Sequence, residues 1–152
     1  MNKQTLMNVD LKGKKVLVRC DFNVPLKNRM VADDTRIRAA LPTIRHLIEQ
    51  RAGVVLCSHL GRPKGKPDPE LSLQPVADHL TDILNVKVGM LDDCIGTQVK
   101  SAVADLEPGE VLLLENTRFH SEEKANDADF AAQLADGFDF FVNDAFGAAH
   151  RA

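Results

Sequence analysis

Val16-Leu17-Val18-Arg19-Cys20-Asp21-Phe22-Asn23-Val24-Pro25 runs from a short apolar segment straight into charged and polar residues. A short apolar run that gives way directly to Arg19 reads as a strand of a parallel sheet reaching its carboxyl end. Two other stretches repeat the design. Val54-Val55-Leu56-Cys57 leads into Ser58-His59-Leu60-Gly61-Arg62-Pro63, and Val111-Leu112-Leu113-Leu114 leads into Glu115-Asn116-Thr117-Arg118-Phe119. In open α/β sheets, ligands bind outside the carboxyl ends of the strands. Three such ends carrying Arg and His predict one shared pocket for a small, strongly anionic molecule.

Outward from these runs, strand patterns alternate with helical periodicity, which implies βαβ units. The strands are expected at residues 15–19, 53–58, 86–88, 110–115 and 138–143. Ile37, Ala40, Leu41, Ile44, Leu47 and Ile48 recur at helical spacing, with Asp34 or Thr35 as N-cap. Pro42 inside that pattern predicts a kink or a restart. Val76, Leu80, Ile83 and Leu84 mark a second helix, with Ser72 before it and Pro75 near its first turn. Val99, Val103 and Leu106 mark a third. Phe130, Ala131, Leu134 and Ala135 mark a fourth, closed by Gly137. The expected fold is α/β: a mostly parallel sheet with helices on both faces, a Rossmann-like three-layer arrangement. Residues 61–69, with three prolines and three basic residues, read as a surface loop.

At 152 residues the chain is about one domain. A net charge of −3 argues against a polyanion-binding surface, so nucleic acid is excluded as a partner and positive charge is local. Cys20, Cys57 and Cys94 are scattered, with no Cys-x-x-Cys pair, which fits a reducing compartment. No apolar run is long enough to span a bilayer and no signal-peptide pattern opens the chain. The expected location is cytoplasmic, with no membrane partner.

The residues at the strand ends suit an anion. Strand alternation puts Arg19, Asp21 and Asn23 on one side if the extended backbone continues to Pro25. Asp21 can hold a neighbouring arginine, and Asn23 can donate to and accept from a hydroxyl. Arginine's planar donors match carboxylate and phosphate oxygens. Arg36, at the start of the first long helix, adds charge where helix N–H groups already favour anions. His59 and Arg62 flank Leu60-Gly61 on a turn, where Gly61 permits close backbone approach. No dinucleotide fingerprint, P-loop, zinc-ligand spacing or nucleophile elbow accompanies them.

These motifs resemble those of phosphoglycerate kinase. The run from Val16 to Pro25, the segment Ser58-His59-Leu60-Gly61-Arg62-Pro63, Leu114-Glu115-Asn116-Thr117-Arg118-Phe119 and Phe141-Val142-Asn143-Asp144-Ala145-Phe146-Gly147 occur in that family's order. Ala149-His150-Arg151-Ala152 resembles the start of its next segment. The resemblance implies an enzyme of two α/β domains joined by a hinge, usually monomeric. Its first domain takes 3-phosphoglycerate or 1,3-bisphosphoglycerate on a basic patch; its second takes ADP or ATP with Mg2+. By motif, Asp21, Phe22 and Asn23 would line the glycerate site. Arg36, the turn formed by His59, Leu60, Gly61 and Arg62, and Arg118 and Arg151 would hold the carboxylate and phosphate. Arg36 would be catalytic, and Arg19 and His150 would join the basic patch. By the same resemblance, residues 1–152 are an incomplete first domain, and the nucleotide-binding domain lies elsewhere. The piece alone is expected to bind no cofactor, to be inactive, and to leave a sheet edge uncovered. The competing expectation is a non-catalytic module or scaffold for phosphorylated acids.

Overall fold

A computed structural model describes residues 10–58, 60, 71–93, 95–116 and 137–144. The chain runs β1 (Lys15–Cys20), β2 (Leu26–Lys27), β3 (Met30–Val31), α1 (Thr35–Glu49) and β4 (Gly53–Cys57). It continues through α2 (Gln74–Leu84), β5 (Val88–Met90), α3 (Thr97–Ala104), β6 (Val111–Leu113) and β7 (Phe140–Asp144). Five strands form one sheet in the order β5-β6-β4-β1-β7, and every pairing in it is parallel.

The expected architecture is the one found. Alternation along β1 and β4 sends side chains to opposite faces. Val16, Val18, Cys20, Val54 and Leu56 pack with Ile37, Ile44 and Leu47 of α1 and with Val76 and Leu80 of α2. Leu17, Val55 and Cys57 pack on the other face with Val99 and Val103 of α3. Because both faces are covered, the central strands are continuous apolar runs rather than alternating ones. Each fully buried Val or Leu contributes roughly 1.5–3 kcal/mol relative to exposure.

The differences from expectation are local. β5 lies two residues later than the periodicity suggested, at Val88–Met90, and β7 is shifted likewise to Phe140–Asp144. β6 is shorter than expected, at Val111–Leu113. α1 does not restart at Pro42; it is one helix of 15 residues. Pro42 sits on the exposed side, while Ala40, Leu41, Ile44 and Leu47 bury the opposite face and outweigh one missing N–H bond. The β2–β3 hairpin was not anticipated. Its turn places Asn28 (φ 53°) and Arg29 (φ 59°) in the left-handed region, as a two-residue turn of this hand requires. The fourth expected helix lies outside the described residues, although Gly137 has the positive φ (90°) expected of it.

β7 joins β1 across almost the whole described chain. Lys15 N–H donates to Asp139 Oδ2 at 2.8 Å, and Asp139 N–H donates to Lys15 O at 2.8 Å. β1 is thus an interior strand, with β4 on one side and β7 on the other. β7 and β5 are the two sheet edges among the described residues, and Phe141 on β7 is exposed.

Candidate active site at the strand ends

The carboxyl ends of four strands lie side by side. Arg19 is in register with Cys57 on one flank and Asn143 on the other, and Leu56 is in register with Leu113. The segments after β1, β4 and β6 therefore leave the sheet from neighbouring positions, as the shared-pocket reading requires.

β1 ends at Cys20, so the strand does not continue to Pro25. Local bonds take over. Asn23 N–H donates to Asp21 Oδ1 at 3.2 Å, and Val24 N–H donates to Phe22 O at 2.8 Å. Burial still alternates through this turn: Phe22 and Val24 are buried, while Asp21 and Asn23 are half-buried. Phe22, expected to line the site, turns its ring fully into the core, and its N–H donates to Ser58 Oγ at 2.9 Å. Its part is to pin the turn so that Asp21 and Asn23 face outward.

Arg36 meets that turn. Its Nη1 donates to Asn23 O at 2.9 Å and to Asp21 Oδ1 at 3.3 Å. The Arg36 side chain remains 55% exposed. An ion pair this open contributes about 0–1 kcal/mol to stability, so its value lies in orientation. With Nη1 occupied, Nε and Nη2 have no partner among the described residues and form the donor pair suited to a carboxylate or phosphate.

Two aspartates set the start of α1, which carries Arg36. Asp33 Oδ1 accepts from Thr35 N–H (2.9 Å) and from Thr35 Oγ1 (2.7 Å). Asp34 is the N-cap residue but makes no side-chain cap bond. Its Oδ2 instead accepts from Arg38 Nε at 2.8 Å and meets His79 Nε2 of α2 at 2.9 Å. The Thr35 backbone N–H, and then its hydroxyl, hold the Asp33 carboxyl below the usual aspartate range. The His79 bond, helped by Arg38 and opposed by desolvation, does the same for Asp34. Both folded values lie below the ordinary 3.8. Their stabilisation is therefore complete above that value and is lost as pH falls through the lower folded values. Asp34→Asn is expected to flatten the acid limb of stability against pH, followed by circular dichroism. Parallel acid limbs in wild type and variant would remove Asp34 from this account.

The remaining anticipated residues divide simply. Leu60 is buried, with both backbone groups bonded to the Asn116 side chain, so it shapes the site through its backbone position. Arg19 is half-buried at the end of β1. His59, Gly61, Arg62, Arg118, His150 and Arg151 lie outside the described residues.

The sequence reading missed the buried polar residues beneath the site. Ser58 is 2% exposed and Asn116 is 1% exposed. Glu115 Oε1 accepts from Leu73 N–H at 2.9 Å and Oε2 from Ser72 Oγ at 2.7 Å, tying the start of α2 to the end of β6. Polar residues directly after apolar strands were the available signal. Two concavities, one including Lys87, Gly89 and Glu110 and the other Lys15, Lys100 and Gly137, lie toward the strands' amino ends, away from Arg36. Among the described residues, no group of three or more His, Cys, Asp or Glu could hold a metal ion. No described helix is long and apolar enough to cross a membrane.

A family model described as phosphoglycerate kinase matches residues 6–152. The chain belongs to the phosphoglycerate kinase family. The phosphoglycerate kinase of Moorella thermoacetica is 59% identical over 152 residues, covering 100% of this chain and 39% of the relative. That of Rippkaea orientalis is 56% identical over 155 residues, again covering 39% of the relative. Among solved structures, phosphoglycerate kinase from Coxiella burnetii aligns with a TM-score of 0.82 at 44% identity, covering 93% of this chain and 35% of that one. The Pyrococcus horikoshii phosphoglycerate kinase aligns with a TM-score of 0.83 at 33% identity, covering 93% and 36%. The chain thus spans about 39% of the length of the curated phosphoglycerate kinases it matches.

Proposed function

We propose that this chain forms the acid-substrate half of a phosphoglycerate kinase, holding 3-phosphoglycerate or 1,3-bisphosphoglycerate at the carboxyl ends of its strands. The observation that carries the reading is Arg36, docked through Nη1 on Asp21 and Asn23 at the carboxyl end of β1. In the transfer, the bond between phosphorus and the acyl carboxylate oxygen breaks, and a bond to the terminal phosphate oxygen of ADP forms. Such chemistry depends on positioning and charge stabilisation more than on covalent catalysis. Asn23 and Asp21 orient the guanidinium, Asn23 can also meet the glycerate hydroxyl, and Arg36 meets negative charge on the moving phosphoryl group. Arg62, Arg118 and Arg151 supply the remaining charge for the carboxylate and phosphate.

We assign the nucleotide and its Mg2+ to the portion of the enzyme beyond these residues, and route no step through the metal here. The chain alone is proposed to bind the acid without turning it over. The intact enzyme is read as a cytoplasmic monomer.

Calorimetric titration with 3-phosphoglycerate tests this. Saturable binding is expected for the wild-type chain and weakened binding for Arg62→Ala and Arg118→Ala. A coupled assay of the chain with 1,3-bisphosphoglycerate and Mg-ADP is expected to form no ATP above a no-protein control. Absence of acid binding, in the chain and in a full-length kinase carrying it, would overturn the reading. Acid binding without turnover in that full-length protein would favour a non-catalytic module.

A further inference from the structure

We propose that Asn116, backed by Glu115, is a positioning residue for the acid-substrate site, an assignment that rests on the function proposed above. Asn116 follows β6, and its carboxamide spends every polar group on backbone. Oδ1 accepts from Leu60 N–H at 3.1 Å, while Nδ2 donates to Leu60 O at 2.7 Å and to Leu71 O at 2.9 Å. One buried side chain therefore holds both the segment leaving β4 and the segment approaching α2. Glu115 fixes the other side of the joint, accepting from Ser72 Oγ, Leu73 N–H and Asn116 N–H.

The joint reaches Arg36 in short steps. Leu60 lies two residues past Ser58, and Ser58 Oγ accepts from Phe22 N–H. Phe22 stands between Asp21 and Asn23, which carry the two contacts to the Arg36 guanidinium. Apart from the two-residue interval between Ser58 and Leu60, each step is a covalent neighbour or a hydrogen bond, and the side chains of Asn116, Glu115 and Ser58 are buried or half-buried. A satisfied polar network in a dry setting favours one arrangement, because any other leaves a polar group unpaired. The ends of β6, β4 and β1 are thereby held in one register relative to the anion donors. A positioning role moves the KM for the acid and leaves the KM for the nucleotide unchanged, a split that a change in stability alone does not produce.

The experiment uses a full-length kinase carrying residues 1–152 of this chain. Asn116→Asp keeps the size of the side chain but faces a carboxylate oxygen toward the Leu60 and Leu71 carbonyl oxygens in place of the donor. Ser58→Ala removes the acceptor of Phe22 N–H with little change in volume. The KM for 3-phosphoglycerate is expected to rise roughly ten- to hundredfold in Asn116→Asp. In Ser58→Ala it is expected to rise about tenfold. The KM for ATP should stay at its wild-type value in both. Loss of active protein with both KM values unchanged would reduce Asn116 and Ser58 to supports of folding and overturn the proposal. Should Asn116→Asp fail to fold, Ser58→Ala decides by the same comparison. A wild-type protein that does not bind 3-phosphoglycerate would sink the function itself. Wild-type binding with an unchanged acid KM in the variants would sink only the positioning role.

Discussion

Replacing Arg36 with alanine in a full-length kinase carrying this segment is expected to lower turnover at saturating substrate by roughly a hundred- to a thousandfold. The comparison is with oxyanion-type donors that act mainly in the transition state, whose loss costs about 3–4 kcal/mol. Arg36 sits at the second position of α1 and is steadied by a backbone carbonyl and a carboxylate from the turn after β1. It therefore needs little reorganisation when charge shifts on the phosphoryl group. An interaction strengthened only in the transition state lowers turnover without an equal loss of ground-state affinity. Arg118→Ala, by contrast, should act mainly on 3-phosphoglycerate binding. Turnover and acid affinity measured for both variants decide the matter. If Arg36→Ala binds the acid far more weakly yet turns over near wild type at saturation, Arg36 is a binding residue.

The largest expected loss of stability comes from a residue beside the site. Phe22 is fully buried, between two half-buried polar neighbours. Phe22→Ala removes a ring that packs into the cluster beneath α1 and α2, and is expected to cost about 3–5 kcal/mol. For a chain of this size that lowers Tm by roughly 6–20 °C. Urea unfolding of the variant alongside Asn23→Ala separates the two neighbours, since Asn23 is half-buried and its loss should be milder. A Phe22→Ala loss below about 1 kcal/mol would mean that the turn is held by its hydrogen bonds rather than by the ring.

The physics that made each element legible also explains what was hidden. β1 and β4 could be read because both faces are covered and their apolar runs are unbroken. α1 could be read because Ile37, Ala40, Leu41, Ile44 and Leu47 form one buried stripe. β2 and β3 are two residues each and offer no period to detect. The place of β7 beside β1 was not legible either, since strand order depends on pairings between residues far apart in sequence. For the site, residue type and position put Arg36, Asp21 and Asn23 at the same end of the sheet, and the structure joins them. Nothing in the identity of Phe22 told that its ring is buried and that its N–H donates to Ser58, because a residue in a functional motif can serve through its backbone. Asn116 passed unassigned because nothing in its identity distinguishes a buried amide bonded to the segments around Leu60 and Leu71 from one facing water.

The sheet's arrangement also has a consequence in time. During synthesis β1 and β4 can pair early, since only 42 positions separate Lys15 at the start of β1 from Cys57 at the end of β4. The other flank of β1 waits for residues 140–144. At roughly 5–20 residues per second, the ribosome needs about 4–17 s to deliver them after β4 is made. For that interval the flank of β1 that will receive β7 is an open edge, and the nascent protein must be kept from pairing it with another chain.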